Sequence, residues 1–515
     1  MIPDYDIRID WNADGDFDGT GEDVTGRIND RGPALQLRYG RDQARAFSPL
    51  AGGSGAMELN NDSRDYSPEN TASPLAGLVQ PGRDVRIRAT LDGVTYGLMR
   101  AHLDDYVVIP DRERRGVRLS LLDGLARLRG VEVSTPLYHS VRTGQAIGLL
   151  LDAVGWPADA RDLDVGATTI RWWWLSGTDA LSALQAILDA EGPGSLATVD
   201  IDGRLVFRDR HHRLLRARSQ TAQATYRTTG TVEPLISPPM AYHHGWREIV
   251  NSVTFDIPVR VPSGQLSQVW QMSGQRALAD GETVTLSARS SDPFVGAIAP
   301  VAGTDFEALA GTVRTTLTRT SGQDITVLVT AEGGPAVING MAVRAYPIDT
   351  QTTVHVEAED STSIADVGRR SWPSGRAPTW ASLPDAIAIA NMILAYRARR
   401  LPTVSITLRG GGVDRLREQL ARDLSDRVRI VDPETGLDAD FWVEQIEHSS
   451  SRLDHTTTFG CEQIPTPAGN PFTFDRSGRG FDQGTFGDIG RDDPATVFIF
   501  DHPTQGCFDV GLFAN

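Results

Sequence analysis

The sequence contains no lysine: all 50 of its Lys-plus-Arg positions are Arg. That absence removes the phosphate-loop lysine, the pyridoxal Schiff base, the kinase lysine and the Ser-x-x-Lys nucleophile pair together. Cysteine is scarce too. Cys461 and Cys507 are the only two, too few for a disulfide framework or a thiolate zinc site. Apolar runs such as Ala386–Ala395 fall short of a membrane span, so no stable membrane insertion is expected. The start, MIPDYDIRIDW, lacks the basic-then-apolar pattern of a signal peptide, and secretion by that route is not expected. Positive charge is outweighed, with a formal net charge of −17. Such a chain repels phosphate backbones unless it carries a local basic face. Its basic clusters, at 112–115, 208–218 and 397–400, are short and read as solvated faces or subunit contacts. No Gly-x-Ser-x-Gly elbow and no His-Glu-x-x-His helix occur.

At 515 residues the chain is too long for one core, and several domains follow. Residues 4–11 alternate, placing Tyr5, Ile7, Ile9 and Trp11 on one face of a half-buried strand. Closely spaced turn signals continue to about Gly130, as in a β-barrel or sandwich. The period then changes. Thr143 is the expected cap of a helix carrying Ile147, Leu150, Leu151 and Val154, closed by Gly155. A strand through Ile170–Leu175 leads to a second helix, capped by Thr178 and stopped at Gly192-Pro193, and a hairpin turns at Asp202-Gly203. Pro258–Gly264 reads as a linker into Thr- and Val-rich strands, an inserted β-sandwich. Ser382 and Pro384 then open a helix over Asp385–Arg399, and Thr403–Leu408 returns as a strand.

One stretch is used twice: GRDVRIRATLDGVTYGLMRAHLDDY from Gly82, and RVRIVDPETGLDADFWVEQIEHS from Arg427. An offset of 343 residues aligns Val85 with Val428, Gly93 with Gly436, Leu98 with Phe441, Leu103 with Ile446 and Asp104 with Glu447. Each copy reads as strand, Gly-closed turn and strand, with a further strand at Val117–Leu122 or Thr456–Cys461. This is a duplicated β module. After Pro465, Phe recurs among Gly and Asp with too little aliphatic bulk for a core, so that segment is either a flexible tail or docks on a neighbouring surface.

Asp10, Asn12, Asp14, Asp16 and Asp18 offer oxygen ligands at alternate positions, as a Ca²⁺ loop does. Gly21 stands where an EF-hand needs its Glu, so the alternatives are a β-flanked calcium loop and a run of Asx turns closed by Gly15. Trp172-Trp173-Trp174 on a strand faces both ways, expected as core on one side and a domain or subunit contact on the other. A sugar-stacking platform is the lesser alternative. His211-His212 and His243-His244, as strand neighbours, cannot chelate as pairs. Cys461 reads as a buried inert thiol, and Asp438, Asp440 and Glu444 as a solvated strand face rather than glycosidase carboxylates.

The order IDWNADGDF, EDVTGRI, LRYGRD, MELNNDSRDYSPEN and PGRDVRI resembles the start of minor tail proteins of long-tailed phages infecting actinobacteria. The remainder is similar in its order of parts to the wider tail-hub family, which includes the baseplate hub of contractile-tailed phages. The resemblance implies a mainly β fold with α+β segments. Its parts are a first hub β-barrel with the Asp-rich loop (1–134), an α+β domain (135–257) and a helix–strand lead-in with a second hub β-barrel (353–465), whereas the inserted β-sandwich (258–352) and the Phe/Gly/Asp-rich extension (466–515) are not part of the minimal family. It also implies a non-enzymatic virion protein at the tail tip, assembled in the host cytoplasm as a homotrimer. The implied neighbours are a distal tail protein or tail-tube ring, the tape-measure protein and receptor-binding tail proteins, with phage DNA only in transit. The alternatives are a tail-associated cell-wall hydrolase and a receptor-binding tail protein recognising a surface glycan.

Overall fold

The computed structural model describes residues 2–29, 35–41, 50–110, 115–231, 233–246, 248–319, 321–451 and 454–464. The expectations for 466–515, and for most of the 112–115 cluster, lie outside them. The alternating start becomes β1 (Asp4–Asp10), with Ile7, Ile9 and, just beyond, Trp11 buried. β2 (Leu35–Arg41), β3 (Leu50–Asn60), β4 (Asp84–Leu91), β5 (Val94–Pro110) and β6 (Arg115–Leu122) follow, in the spatial order β1-β4-β5-β6-β3-β2. β4 buries every second residue, placing Val85, Ile87 and Ala89 in a core with Leu37, Met57, Leu103 and Leu119. Asp92 and Gly93, both at positive φ, form the two-residue turn into β5. β5 serves two partners. Its first half pairs with β4 and its second with β6, and a bulge at Asp104 marks the hand-over.

β7 (Glu132–Arg142) and β9 (Thr169–Asp179) form one small sheet. A second contains β8 (Arg161–Leu163), β10 (Leu196–Val199) and β11 (Leu205–Arg208). Helices α1 (Thr143–Ala153) and α2 (Ala180–Glu191) pack on them through Ile147, Leu150, Leu184 and Ile187. The helix starts differ from expectation. Thr143 is the first residue of α1 rather than its cap, and its hydroxyl donates to Glu191 (2.5 Å). Asp179, not Thr178, caps α2 by accepting from the Ser182 N–H (2.9 Å). Two short helices, α3 (His212–Leu215) and α4 (Ala217–Gln220), lead to β12 (Thr225–Arg227) and β13 (Ser237–His243).

The inserted β unit comprises β14 (Ser252–Pro262), β15 (Ser267–Leu278), β16 (Thr283–Arg289), β17 (Phe294–Ile298), β18 (Glu307–Arg319) and β19 (Asp324–Glu359). The other five strands all pair with the 36-residue β19, around a core of Phe294, Val327, Ile338 and Val343. Its bounds are wider than expected. The segment read as a linker is largely strand, since β14 runs from Ser252 through Pro258 to Pro262 and pairs with β19 out to Glu359. Proline is tolerated because β14 is an edge strand.

After α5 (Ser361–Val367), α6 (Leu383–Arg397) is capped by the Ser382 hydroxyl, which accepts from the Asp385 N–H (3.3 Å). It starts two residues earlier than expected. Ile389 and Ile393 pack on Val253 and Phe255 of β14. β20 (Thr403–Arg409), α7 (Val413–Ala421), β21 (Arg427–Asp432), β22 (Leu437–Ser451) and β23 (Asp454–Gln463) complete the second module, in the order β12-β21-β22-β23-β20-β13. β22 resembles β5, pairing with β21 over 437–442 and with β23 from Phe441 onward, with a bulge at Glu444 within the second ladder. Val428, Ile430, Phe441, Ile446 and Phe459 fill its core.

The duplication is present, with one correction of register. Val85 lies opposite Ala101, and Val428 opposite Phe441, so Phe441 corresponds to Ala101 rather than Leu98. Likewise Val443 answers Leu103, and Glu444 answers Asp104. The second hairpin is three residues shorter, which moves the offset from 343 to 340 past the turn. The copies also differ at one edge: β1 runs antiparallel to β4, whereas β12 runs parallel to β21. The two modules form one sheet through β2 and β22, with Leu35 opposite Ser450 and Gly40 opposite Gln445.

Candidate functional site

The Asp-rich loop leaves β1 as a chain of Asx turns. Asp10 accepts from the backbone N–H of Asp14 (3.2 Å) and Gly15 (3.0 Å), Asn12 from Asp14, Asp14 from Asp16, and Asp16 from Asp18 (each 3.1 Å). Phe17 anchors the loop, buried under the Arg86 and Arg100 guanidiniums, each 4.5 Å from its ring. Asp16 raises the Asp18 carboxyl above its ordinary range, first through a shared hydrogen bond and then by its charge. Trp11 packs on Tyr66 at 5.9 Å, bringing the IDWNADGDF and NNDSRDYSPEN stretches together. Among the described residues, no group of three or more His, Cys, Asp or Glu is placed to hold a metal ion.

The seam between the modules carries a buried charge cluster. Glu444, at the β22 bulge, accepts two hydrogen bonds from Arg213 (2.7 and 2.9 Å) and faces Arg41 Nε at 3.3 Å. All three are buried. Arg41 ends β2 in the first module, and also donates to the Ser195 carbonyl of the α+β domain. Arg213 belongs to α3, with its guanidinium 4.7 Å from the Trp442 ring. One carboxylate thus ties three domains. Burial lowers the Arg41 pKa to about 10. Burial also opposes the Arg213 charge, but Glu444 outweighs it and holds that pKa above its ordinary value. Gly40 lets β2 come this close, because a Cβ there would stand 2.4 Å from the Glu444 carbonyl oxygen.

A second, uncharged cluster spans the same seam. Tyr5 Oη lies 2.6 Å from His455 Nδ1, and the His448 and His455 rings both meet Thr457 Oγ1 at 3.1 Å. Burial pushes His455 down to about 4 and His448 well below its usual value. Neither cluster was legible as a site, since charged and polar residues on strands read as solvated faces.

The other candidates fall as follows. Trp173 is buried in the α+β core. Trp174 meets Trp380 edge-on at 5.0 Å, and its Nε1 donates to Gln323 of the insertion (3.1 Å), so the far face is a domain contact. His211 and His212 sit at the start of α3, not on a strand, and His212 lies between the Asp209 carbonyl (2.7 Å) and Ser425 Oγ (3.1 Å). Burial raises the Cys461 thiol pKa, the reverse of an activated thiolate. Asp438 and Asp440 pair with Arg429 and Arg427. The basic clusters at 208–218 and 397–400 supply internal partners rather than only solvated faces: Arg208 meets Asp162, Arg218 meets Asp426, and Arg397 is buried against Glu462.

No family model and no curated protein matches the sequence. Among solved structures, the tail protein from Neisseria meningitidis MC58 gives a TM-score of 0.48 at 13% identity, over 89% of this chain and 96% of that one. The 43 kDa tail protein of prophage MuSo2 from Shewanella oneidensis gives 0.45 at 11%, over 89% and 98%. The E. coli c3393 protein, a type VI secretion component described as similar to the T4 tail proteins gp27 and gp5, gives 0.37 at 8%, over 85% and 77%.

Proposed function

We propose that this chain is a structural, non-enzymatic hub protein of a phage tail tip. Three copies would join a six-fold tail tube to a three-fold tip and its host-contacting proteins. The observation that carries the reading is the pair of like six-stranded modules joined in one sheet, where the edge strand β2 of the first pairs with the second half of β22. Two modules per chain and three chains make six modules on a three-fold axis, which is the match a six-fold ring requires. The buried Arg41–Glu444–Arg213 cluster supports it by fixing the two modules and the α+β domain at one point, as a load-transmitting adaptor needs. The net charge of −17 suits a passage that must release DNA rather than retain it. The test is mass by light scattering at high concentration. Three chain masses is the expected result, and a stable monomer or dimer would overturn the trimer.

A further inference from the structure

The inserted unit carries an open cleft of about 760 Å³ that the hub reading does not use. Its wall is an outward row of side-chain amides on β15 and β19. Cross-strand register places Gln268 opposite Arg344, Gln271 opposite Ala342 and Gln275 opposite Asn339, all on the outer face. Gln268 Nε2 donates to Gln271 Oε1 (2.8 Å), and Asn339 Nδ2 donates to Glu307 Oε2 (3.2 Å). Gln268, Gln271 and Asn339 all line the cleft, and Gln268 Oε1, Gln271 Nε2 and Asn339 Oδ1 have no further partner among the described residues, which leaves two acceptors and a donor for a ligand there. Asp305 in the lining is neutralised by Arg344 (2.6 Å). The apolar side chains beneath, Phe306 and Met341, are buried.

We infer that this amide-walled cleft binds a neutral polyhydroxylated chain, that is, an uncharged glycan. Amides present donor and acceptor side by side, the arrangement that vicinal hydroxyls satisfy, and they do so without a charge to be desolvated. A phosphate or sulfate ester would meet the Glu307 carboxylate, and no Arg or His is among the described residues that line the cleft to balance it. A protein partner would look for exposed aromatic or Arg anchors, whereas the apolar groups here form a sealed floor. The site is independent of the hub reading and stands or falls by itself.

The test is surface plasmon resonance of the full chain over immobilised dextran, mannan and galactan, with heparin as the anionic surface. The expected result is saturable binding to at least one neutral polysaccharide, at least tenfold weaker for the Gln271→Ala/Asn339→Ala double variant at unchanged melting temperature. If that variant melts lower, Gln271→Glu is read in its place. No response on the three neutral surfaces, a stronger response on heparin, or undiminished binding by the variant would overturn the inference.

Discussion

Glu444 answers two buried guanidiniums, and removing it takes from both the carboxylate they contact. Glu444→Ala should lower stability by about 3–5 kcal/mol, the range for stranding a buried charge. Urea denaturation checks this, and a loss under about 1 kcal/mol would place the cluster in effectively solvated surroundings. Four histidines give a pH signature of known sign. Burial holds His102 and His455 at about 4, and His212 and His448 well below their ordinary value. In the unfolded chain they take protons near pH ~6.5. The unfolded state therefore binds more protons between those limits, and stability falls as pH is lowered from about 6.5 to 4. Asp123, lifted by burial to about 6, works the other way, as do Asp18, Glu22, Asp189 and Asp423, which are raised less, so the four larger histidine shifts set the sign. Melting temperatures across that window should fall, and a rise would contradict the assignment of these histidines as neutral. Calcium at Asp10, Asn12, Asp14, Asp16 and Asp18 is a proposal in which the cation draws the outward oxygens together. Melting should then rise with Ca²⁺ over chelator, and equal values would remove it. At this scale the sequence was informative where a residue acts with its near neighbours, as in the Asx chain, and silent where Arg41 and Glu444 meet across 403 positions.

Elements were legible wherever their period was local. The strict alternation of β1 and β4, the hairpin at Asp202-Gly203 and the Ser382 cap all follow from nearest-neighbour chemistry. The longest strands were not legible as wholes, because β5, β19 and β22 change partner and carry bulges that interrupt the period. A three-residue difference in hairpin length likewise shifted the repeat alignment beyond the turn. Two of the three edges of the large sheet, β1 and β13, are blunted. The 22–24 segment bonds to β1, with Ile9 N–H donating to the Glu22 carbonyl (2.9 Å), and β13 carries Pro238-Pro239. The decisive pairing is internal, β2 with β22, and Gly40 sits at its tightest point with φ of +110°. Gly40→Ala should cost about 2–5 kcal/mol by combining a disfavoured φ with a backbone clash. Hydrogen exchange should show faster exchange along β2 and β22 than along β4 in that variant. Equal protection would mean that the seam does not depend on this approach.

At the scale of the molecule, the fused modules are what the proposed function requires, and no local signal foretold that fusion. The repeat suggested two similar units. The Leu35-to-Gly40 register against β22, together with the Arg41–Glu444–Arg213 cluster, makes them a single rigid pair. Three rigid pairs can close a ring in which every second module is a different copy of the same design. The most direct test is a cryo-EM reconstruction of the purified assembly with three-fold symmetry imposed. The account predicts six β modules at one level, alternating between first and second copies and spaced about 60° apart. Modules at different heights, or turned away from a common axis, would contradict it.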